Sequence, residues 1–217
     1  MLCSLQNVPF VVLNVAHRVS SLSQKTSTLL IMYKATNLSL IHDVIFSAGI
    51  SIGSEMSGGV NNVSVENYYV WRSKRGVRIK TAPGRGGQIS DLSFKNITLD
   101  VVRVGIVIKT DYNEHPDTGY DPKALPVVQN ISFLGIHGND IRVPVRIYGS
   151  AKVPVEDIVF RDFGVGVTRK KKHIFQCSFV HGKVIGKAYP RPCDSLDVYD
   201  EDGNILRARS RANYTQS

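Results

Sequence analysis

Asp91-Leu92-Ser93-Phe94 is the stretch that decides the fold, because its pattern of a small polar residue followed by apolar, variable and apolar residues recurs along the chain. Six copies are present, usually 19 to 29 residues apart. The other five begin at Asn37, Asn62, Asn130, Asp157 and, more weakly, Gln176. Alternate residues of a strand point to opposite sides, so we expect Leu92 and Phe94 to face a core and Ser93 and Lys95 to face outwards.

The repeat predicts an all-β fold, a right-handed parallel β-helix. One coil cannot bury its apolar side alone, whereas coils stacked about 4.8 Å apart align equivalent residues and form a continuous core. The right hand is the usual one for parallel crossovers. The β-helix is expected over residues 34–194, after a poorly specified segment, 1–33, and before a polar tail, 195–217. One long interval between copies predicts a protruding loop over residues 111–126.

Composition and charge narrow the classes of partner. The chain has 217 residues, 42% of them hydrophobic, which is enough for a buried core and excludes disorder throughout. Lys and Arg outnumber Asp and Glu 27 to 18, and the net charge of +9 favours a polyanion: acidic polysaccharide, nucleic acid or anionic membrane. No apolar run has the length of a membrane-spanning helix, and the apolar stretch 9–15 lacks the features of a signal peptide.

The cysteines and the Asn-X-Ser/Thr triplets each have two interpretations. Cys177 and Cys193 lie 16 residues apart; one disulfide between them fits an oxidising compartment, and two ordinary thiols fit the spacing equally well. Five potential glycosylation triplets begin at Asn37, Asn62, Asn96, Asn130 and Asn213. Three of these, at Asn37, Asn62 and Asn130, coincide with the repeat, so we interpret them as a hydrogen-bonded ladder at a coil corner.

The densest uncompensated positive charge lies between residues 66 and 91, where six cations and no acid occur. These cations are Arg72, Lys74, Arg75, Arg78, Lys80 and Arg85. Within this segment Val77-Arg78-Ile79-Lys80 alternates, so Arg78 and Lys80 should project together from one outer face, roughly 6 to 7 Å apart. Arg binds a carboxylate through two parallel hydrogen bonds and Lys adds a compact charge, so the pair suits a polymer of sugar acids. An ordinary solvent-exposed strand face is the alternative, since Arg103 and Lys109 flank a similar alternation.

Several motifs resemble the polygalacturonases, or pectinases, of glycoside hydrolase family 28. They are Gly49–Glu55, Gly76–Thr81, Asn113–Asp117, Tyr120–Pro126 and Cys177 with Pro190–Cys193, the last three being similar to the C-terminal portion of the plant branch. The resemblance covers residues 35–194. It implies a right-handed parallel β-helix, an extracellular or cell-wall location, and hydrolysis of the α-1,4 links of polygalacturonate with inversion.

The resemblance implies substrate-binding roles for Arg78 and Lys80, but it fails at the reaction centre. The family's Gly-His-Gly motif falls on Ser47-Ala48-Gly49, so Ala48 stands in place of the histidine. The three catalytic aspartates would belong to residues 1–46, where Asp43 is the only acid and lies too close to Ala48. Inverting hydrolysis needs an acid and a base carboxylate roughly 6.5 to 9.5 Å apart. We therefore expect a chain truncated or altered at its N-terminus that retains half of a substrate groove and no catalytic residue.

The expected function is that of a polygalacturonase-like glycoside hydrolase acting on α-1,4-linked galacturonan, with the catalytic acids absent from this chain. The alternative is a non-catalytic, pectin-binding β-helix. Nucleic-acid binding is disfavoured because the basic residues form no recognition helix or aromatic platform. No cofactor, metal site or membrane contact is expected, and the acidic residues of segment 111–121 lack the spacing of a calcium loop. The expected partner is polygalacturonate, and the expected state is a monomer.

Overall fold

The computed structural model describes residues 12–13, 33–35, 44–53, 59–112, 120–168 and 175–210. Several predictions concern residues outside these ranges. They include Asn37, Asp43, Asn113–Asp117 and Asn213.

Two sheets contain the described strands, and all their strand pairs are parallel except that of the last two strands along the chain, which is antiparallel. The six-stranded sheet has, in spatial order, β1 (Val12–Leu13), β3 (Val44–Ile52), β5 (Ser73–Lys80), β7 (Val104–Lys109), β9 (Val143–Tyr148) and β11 (Phe175–Ser178). The eight-stranded sheet runs from β2 (Tyr33–Ala35) through β4 (Val60–Trp71), β6 (Gln88–Asp100), β8 (Val127–Ile141), β10 (Val155–Val167) and β12 (Val180–Tyr189) to β13 (Asp197–Tyr199) and β14 (Ile205–Arg207). From β2 onwards, the chain passes alternately from one sheet to the other as far as β12, so each pair of consecutive strands makes one coil. This is the parallel β-helix that the repeat predicts.

The repeat residues form the core in strict register. Leu92 and Phe94 are buried, whereas Lys95 is exposed, which confirms the predicted direction of the side chains. Phe94 pairs with Phe133, and Phe133 pairs with Phe160. Their rings stack with centroids 5.0 and 5.2 Å apart. A stack of three aromatic rings from successive coils therefore lies in the core.

Four long strands of the eight-stranded sheet, β4, β6, β8 and β10, each contain a pair of left-handed residues five positions apart. In β4 these are Asn62 and Asn67, with φ of 56° and 55°; in β6 they are Asp91 and Asn96, with φ of 57° and 51°. Asn and Asp tolerate this conformation better than other non-glycine residues, which explains why a small polar residue opens the repeats at Asn62, Asp91, Asn130 and Asp157. One strand can therefore cover two faces of the coil.

The bends are joined from coil to coil by side-chain hydrogen bonds. The amide of Asn130 donates to the carboxylate of Asp91, and the amide of Asn96 donates to the side-chain oxygen of Asn67 at 2.6 Å. The sequence predicted a ladder of Asn37, Asn62 and Asn130. Among the described residues Asn130 takes part, with Asp91 as its partner, so the ladder contains Asn and Asp together; Asn37 lies outside those residues. Asn96, which was not assigned to a corner from its sequence, occupies the second bend.

One short strand lies near the N-terminus, and the C-terminal end of the described chain contributes more strands than the sequence predicts. Val12–Leu13, within the poorly specified segment, pairs with Ser51 and Ile52 of β3. Residues 195–207, which the sequence assigned to a polar tail, carry β13 and β14. Leu196 is completely buried, and the guanidinium of Arg207 donates to the carbonyls of Pro192, Cys193 and Leu196. The burial of Leu196 and the hydrogen bonds of Arg207 therefore order this segment, although most of its residues are polar.

The predicted protruding loop falls between β7 and β8, over residues 110–126, of which 113–119 lie outside the described ranges. The glycine-rich turn after Pro83 packs against its far end, because the amides of Gly84 and Gly86 both donate to the carbonyl of Ala124 at 2.9 Å. Gly84 has a φ of +89°, and a Cβ there would lie 2.5 Å from the ring of Tyr120. The glycines are explained by this close approach and by turn geometry.

Candidate functional site

The outer face of the six-stranded sheet holds the candidate site. Val77 and Ile79 are each 1% exposed in the core, so the intervening Arg78 and the following Lys80 project to the outside. This is the orientation that the alternation predicts. A strand paired on both sides, by β3 and β7, holds the two cations at a constant separation.

Tyr112 lies at the centre of this group of cations. The distance from its ring centroid is 5.1 Å to the Arg78 guanidinium carbon, 4.5 Å to the Lys80 nitrogen and 6.0 Å to the Lys109 nitrogen. The backbone amide of Tyr112 donates to the carbonyl of Thr81 at 3.0 Å, which fixes the ring beside the strand end. Attraction between the ring face and the cations stabilises this arrangement.

Tyr112 was not predicted from the sequence, because it follows β7 by three positions and nothing in its local pattern sets it apart. Only the strand register, in which Lys80 pairs with Lys109, brings the two coils together at this point. Lys109 was interpreted as an ordinary exposed strand residue. The structure instead places it next to Lys80, with its ammonium 3.5 Å from the Asp111 carboxylate.

Strand register adds a further arginine to the same face. Arg78 pairs with Val107, and Val107 pairs with Arg146 on the next coil. The Nε of Arg146 donates to the side-chain oxygen of Gln176 at 2.7 Å, and the hydroxyl of Tyr148 donates to the same oxygen at 2.9 Å. Arg146 is therefore held in place about two coil steps, or roughly 10 Å, from Arg78.

Arg75 lies on this face as well. Burial lowers the pKa of its guanidinium, and the positive charges of Arg78, Arg103 and Arg146 lower the pKa further. Such a mutual effect requires the four arginines to lie within electrostatic range of one another. We refer to Arg75, Arg78, Lys80, Lys109 and Arg146 together as the cationic face.

Three valines form a small apolar cluster beneath these cations, separate from the core. Val104, Val107 and Val143 are only 5 to 9% exposed although they lie on the outside of the sheet. Val104 pairs with Arg75 and Val107 with Arg78, so the aliphatic stems of the arginines can cover the valines while the guanidinium groups remain in water. The cationic face thus consists of exposed charged groups above a small buried cluster of valines.

The other cations and aromatic residues of the basic segment lie elsewhere. Arg85 is 6% exposed, in the turn after β5, and the guanidinium carbon of Arg72 lies 5.1 Å from the ring centroid of Trp71. Tyr68 is a core residue whose hydroxyl donates to the carbonyl of Gly49, and burial raises its pKa to about 12. Tyr69 donates to the Asp100 carboxylate at 3.0 Å. These aromatic side chains therefore have structural contacts within the coils and do not line the cationic face.

Ala48 pairs with Arg75 at the edge of the cationic face. Lys109 and Asp111 form the ion pair at this face in the described part of the chain. Among the same described residues, no three His, Cys, Asp or Glu side chains converge on one point as metal ligands would. The described chain also contains no apolar helix of membrane-spanning length.

A disulfide joins Cys177, the third residue of β11, to Cys193 after β12. The Cα atoms of the two residues are 6.1 Å apart. Both cysteines pack against the core, at the last described strand of the six-stranded sheet. The bridge therefore ties the C-terminal segment to the sheet that carries the cationic face.

The stacked coils and the cationic face define a parallel β-helix protein with an outer surface suited to anions. The family model for glycosyl hydrolases family 28 matches residues 32–187, and the chain belongs to this family. The family's right-handed parallel β-helix is the predicted fold class, which is thereby confirmed.

The chain is similar to polygalacturonases of plants and fungi. It is 33% identical to the "Probable polygalacturonase" of Vitis vinifera over 152 residues, which are 70% of this chain and 31% of that protein. It is 28% identical to Polygalacturonase-2 of Solanum lycopersicum, over 71% of this chain and 35% of that protein. It is 37% identical to Endopolygalacturonase B of Aspergillus niger, over 41% of this chain and 25% of that protein. The aligned part therefore spans about a third or less of the length of these curated relatives. No solved structure matches the chain.

Proposed function

We propose that this chain binds α-1,4-linked galacturonan, the acidic polymer of pectin, through Arg78 and Lys80 on the cationic face. The observation that carries the proposal is the arrangement of Arg78, Lys80 and Lys109 around the ring of Tyr112, with all three cations within about 6 Å of its centroid. Arginine can hold a carboxylate with two parallel hydrogen bonds, and the lysines add compact charge beside it. Membership of the glycosyl hydrolases supports a sugar ligand, and the names of the relatives support a galacturonan.

The repeat of the fold favours a polymer over a single sugar. Cations recur on β5, β7 and β9, each one coil, or about 4.8 Å, from the next. A chain of sugar acids carries a carboxylate on every unit, so a ligand lying across the strands can meet a cation at each step. The apolar cluster of Val104, Val107 and Val143 adds apolar contact for the sugar rings.

Hydrolysis with inversion is the activity expected of the family, and it needs two carboxylates on opposite sides of the scissile bond. In the described part of the cationic face the acid in contact is Asp111, paired with Lys109. Ala48 at the edge of the face carries no titratable group. The proposed role of the described residues is therefore to bind the polymer, and a non-catalytic pectin-binding β-helix is the alternative to a hydrolase.

The experiment measures binding and turnover separately on the purified full chain. Binding to trigalacturonate is followed by calorimetry, and reducing-sugar release is measured from polygalacturonate. Arg78→Gln with Lys80→Gln should lower affinity at least tenfold, whereas Lys123→Gln with Lys152→Gln, two exposed lysines outside the cationic face, should change it less than twofold. Sugar release that disappears in the Arg78 and Lys80 variant would establish a hydrolase. Equal binding by wild type and that variant would refute the proposed site.

We further propose that the protein is extracellular or located in the cell wall, and that it is a monomer. The disulfide between Cys177 and Cys193 supports an oxidising compartment, because such bonds are rare in the cytosol. Pectin is itself a cell-wall polymer, so the proposed ligand and the proposed location agree. Multi-angle light scattering would test the monomer, and a dimer mass would contradict it.

A further inference from the structure

Three arginines form a second group of cations at the corner where the eight-stranded sheet turns into the six-stranded sheet. Arg103 immediately precedes β7, and Arg142 immediately precedes β9. Because Val104 pairs with Val143, Arg103 and Arg142 occupy equivalent positions on neighbouring coils. Arg75, on the preceding coil, pairs with Val104 beside them. We refer to Arg75, Arg103 and Arg142 as the arginine corner.

The backbone of the corner is held firmly. The amide of Arg103 donates to the carbonyl of Ser73 at 3.0 Å, and the amide of Val143 donates to the carbonyl of Arg103 at the same distance. The amide of Arg142 donates to the carbonyl of Val102 at 3.1 Å. The side chains of Arg103 and Arg142 nevertheless remain exposed. A fixed backbone with exposed guanidinium groups is an arrangement that favours binding over packing.

The positive charge of the corner is not neutralised by the described residues. In the described ranges, no carboxylate lies within 4 Å of the guanidinium groups of Arg75, Arg103 or Arg142. The acids nearest in sequence have other partners: Asp100 accepts from the Tyr69 hydroxyl and the Asn139 amide, and Asp140 accepts from the Thr168 hydroxyl at 2.6 Å. Burial, and then the charges of Arg78, Arg103 and Arg146, lower the pKa of Arg75, so Arg103 of the corner lies within electrostatic range of Arg75.

The corner is separate from the pair on which the proposed function depends. Arg75 lies three residues before Arg78, about 10 Å along the strand, and Arg142 lies two coils from Arg75, about another 10 Å. A short acidic oligosaccharide centred on Arg78 and Lys80 would not reach Arg142, whereas a longer one that follows the valines Val104 and Val143 would reach it.

We propose that the arginine corner is a second binding site for carboxylates of the same acidic polysaccharide, engaged only by chains long enough to extend beyond Arg78 and Lys80. This inference rests on the proposed function. It adds a length requirement, because the gain in affinity from linking two sites appears only when the ligand spans both.

The test compares oligogalacturonates of three and nine units, labelled at the reducing end, by fluorescence anisotropy with the full chain. Arg103→Gln with Arg142→Gln should weaken binding of the nine-unit chain by about five- to twentyfold and that of the three-unit chain by less than twofold. The salt dependence of nine-unit binding should also become shallower, since fewer cations are engaged. Thermal unfolding should change little, because both arginines are exposed.

The matched control is Arg161→Gln with Lys183→Gln, which removes two exposed cations from the eight-stranded sheet. It lowers the net charge equally, so it should reduce the affinity for both oligomers by one small common factor. Unchanged nine-unit binding in the corner variant, or an equal loss for both lengths, would overturn the inference while leaving Arg78 and Lys80 as a site. If wild type bound neither oligomer, the proposed function would fail together with the inference built on it.

Discussion

Replacement of Phe133 by alanine should strongly destabilise the protein. Phe133 is the middle ring of the core stack, completely buried between Phe94 and Phe160 at centroid distances of 5.0 and 5.2 Å. Removing such a ring costs about 3 to 5 kcal/mol through lost burial and the cavity left behind, and the loss of two stacking partners places this site near the upper end. For a chain of this length, 4 kcal/mol corresponds to a fall in Tm of roughly 8 to 16 °C.

Urea unfolding followed by far-ultraviolet circular dichroism measures the change, with Ser132→Ala as the control. Ser132 is the preceding residue on the same strand and points outwards, so its loss should cost less than about 0.5 kcal/mol. Coils of a solenoid contact only their neighbours, so the substitution weakens the contact between the coils on either side of Phe133. The two halves of the β-helix should then unfold less cooperatively, and the unfolding curve of the Phe133 variant should broaden. A folded Phe133→Ala protein within about 1 kcal/mol of wild type would refute a continuous core along the axis.

Three further predictions concern the disulfide and two tyrosines. Cys177→Ser with Cys193→Ser should lower the free energy of unfolding by about 3 kcal/mol, as expected for a closed loop of 16 residues, and reduction of wild type should have the same effect in a chemical denaturation experiment. Tyr112→Ala should weaken trigalacturonate binding about three- to tenfold because Arg78 and the two lysines lose the ring that they contact, while Tyr112→Phe keeps the ring and should bind as wild type does in calorimetry. The Tyr68 pKa, raised by burial from 10.0 to about 12, means that the neutral phenol contributes roughly 2 to 3 kcal/mol of stability in full below pH 10, and this contribution is lost as the pH rises towards 12. Unfolding free energies measured from pH 9 to 12 should therefore fall less steeply in Tyr68→Phe, and parallel pH profiles would contradict this assignment.

Much of the fold follows from local pattern. The period of two within each repeat identifies the buried side of a strand, as Leu92 and Phe94 show, and the recurrence of the pattern requires coils that share a core. Arg78 and Lys80 were placed on the outer face by the same alternation, because the side on which a residue lies depends only on its position in the strand.

The sequence was less informative about bends and ends. Three asparagines that open repeats, Asn37, Asn62 and Asn130, were taken for a ladder at one corner. The strands β4, β6, β8 and β10, however, each have a second left-handed bend, at Asn67, Asn96, Gly135 and Asp162 respectively. That variation hides the second bend from a search for one motif. Similarly, residues 195–207 look polar, yet Leu196 and Arg207 order them through burial and hydrogen bonds to carbonyls that composition cannot reveal.

Spacing within one strand predicts the alternation of inward and outward residues and the outward orientation of Arg78 and Lys80, and the recurrence of the repeat predicts the stacking of coils. Which outward residues become neighbours across strands is known only from the three-dimensional structure. Tyr112 lies among the cations, and Arg146 lies in the row of Arg78, because lateral register joins residues that are distant in the sequence. The packing of buried repeat residues from successive coils holds that register, since Phe94, Phe133 and Phe160 are aligned although the intervals between them differ.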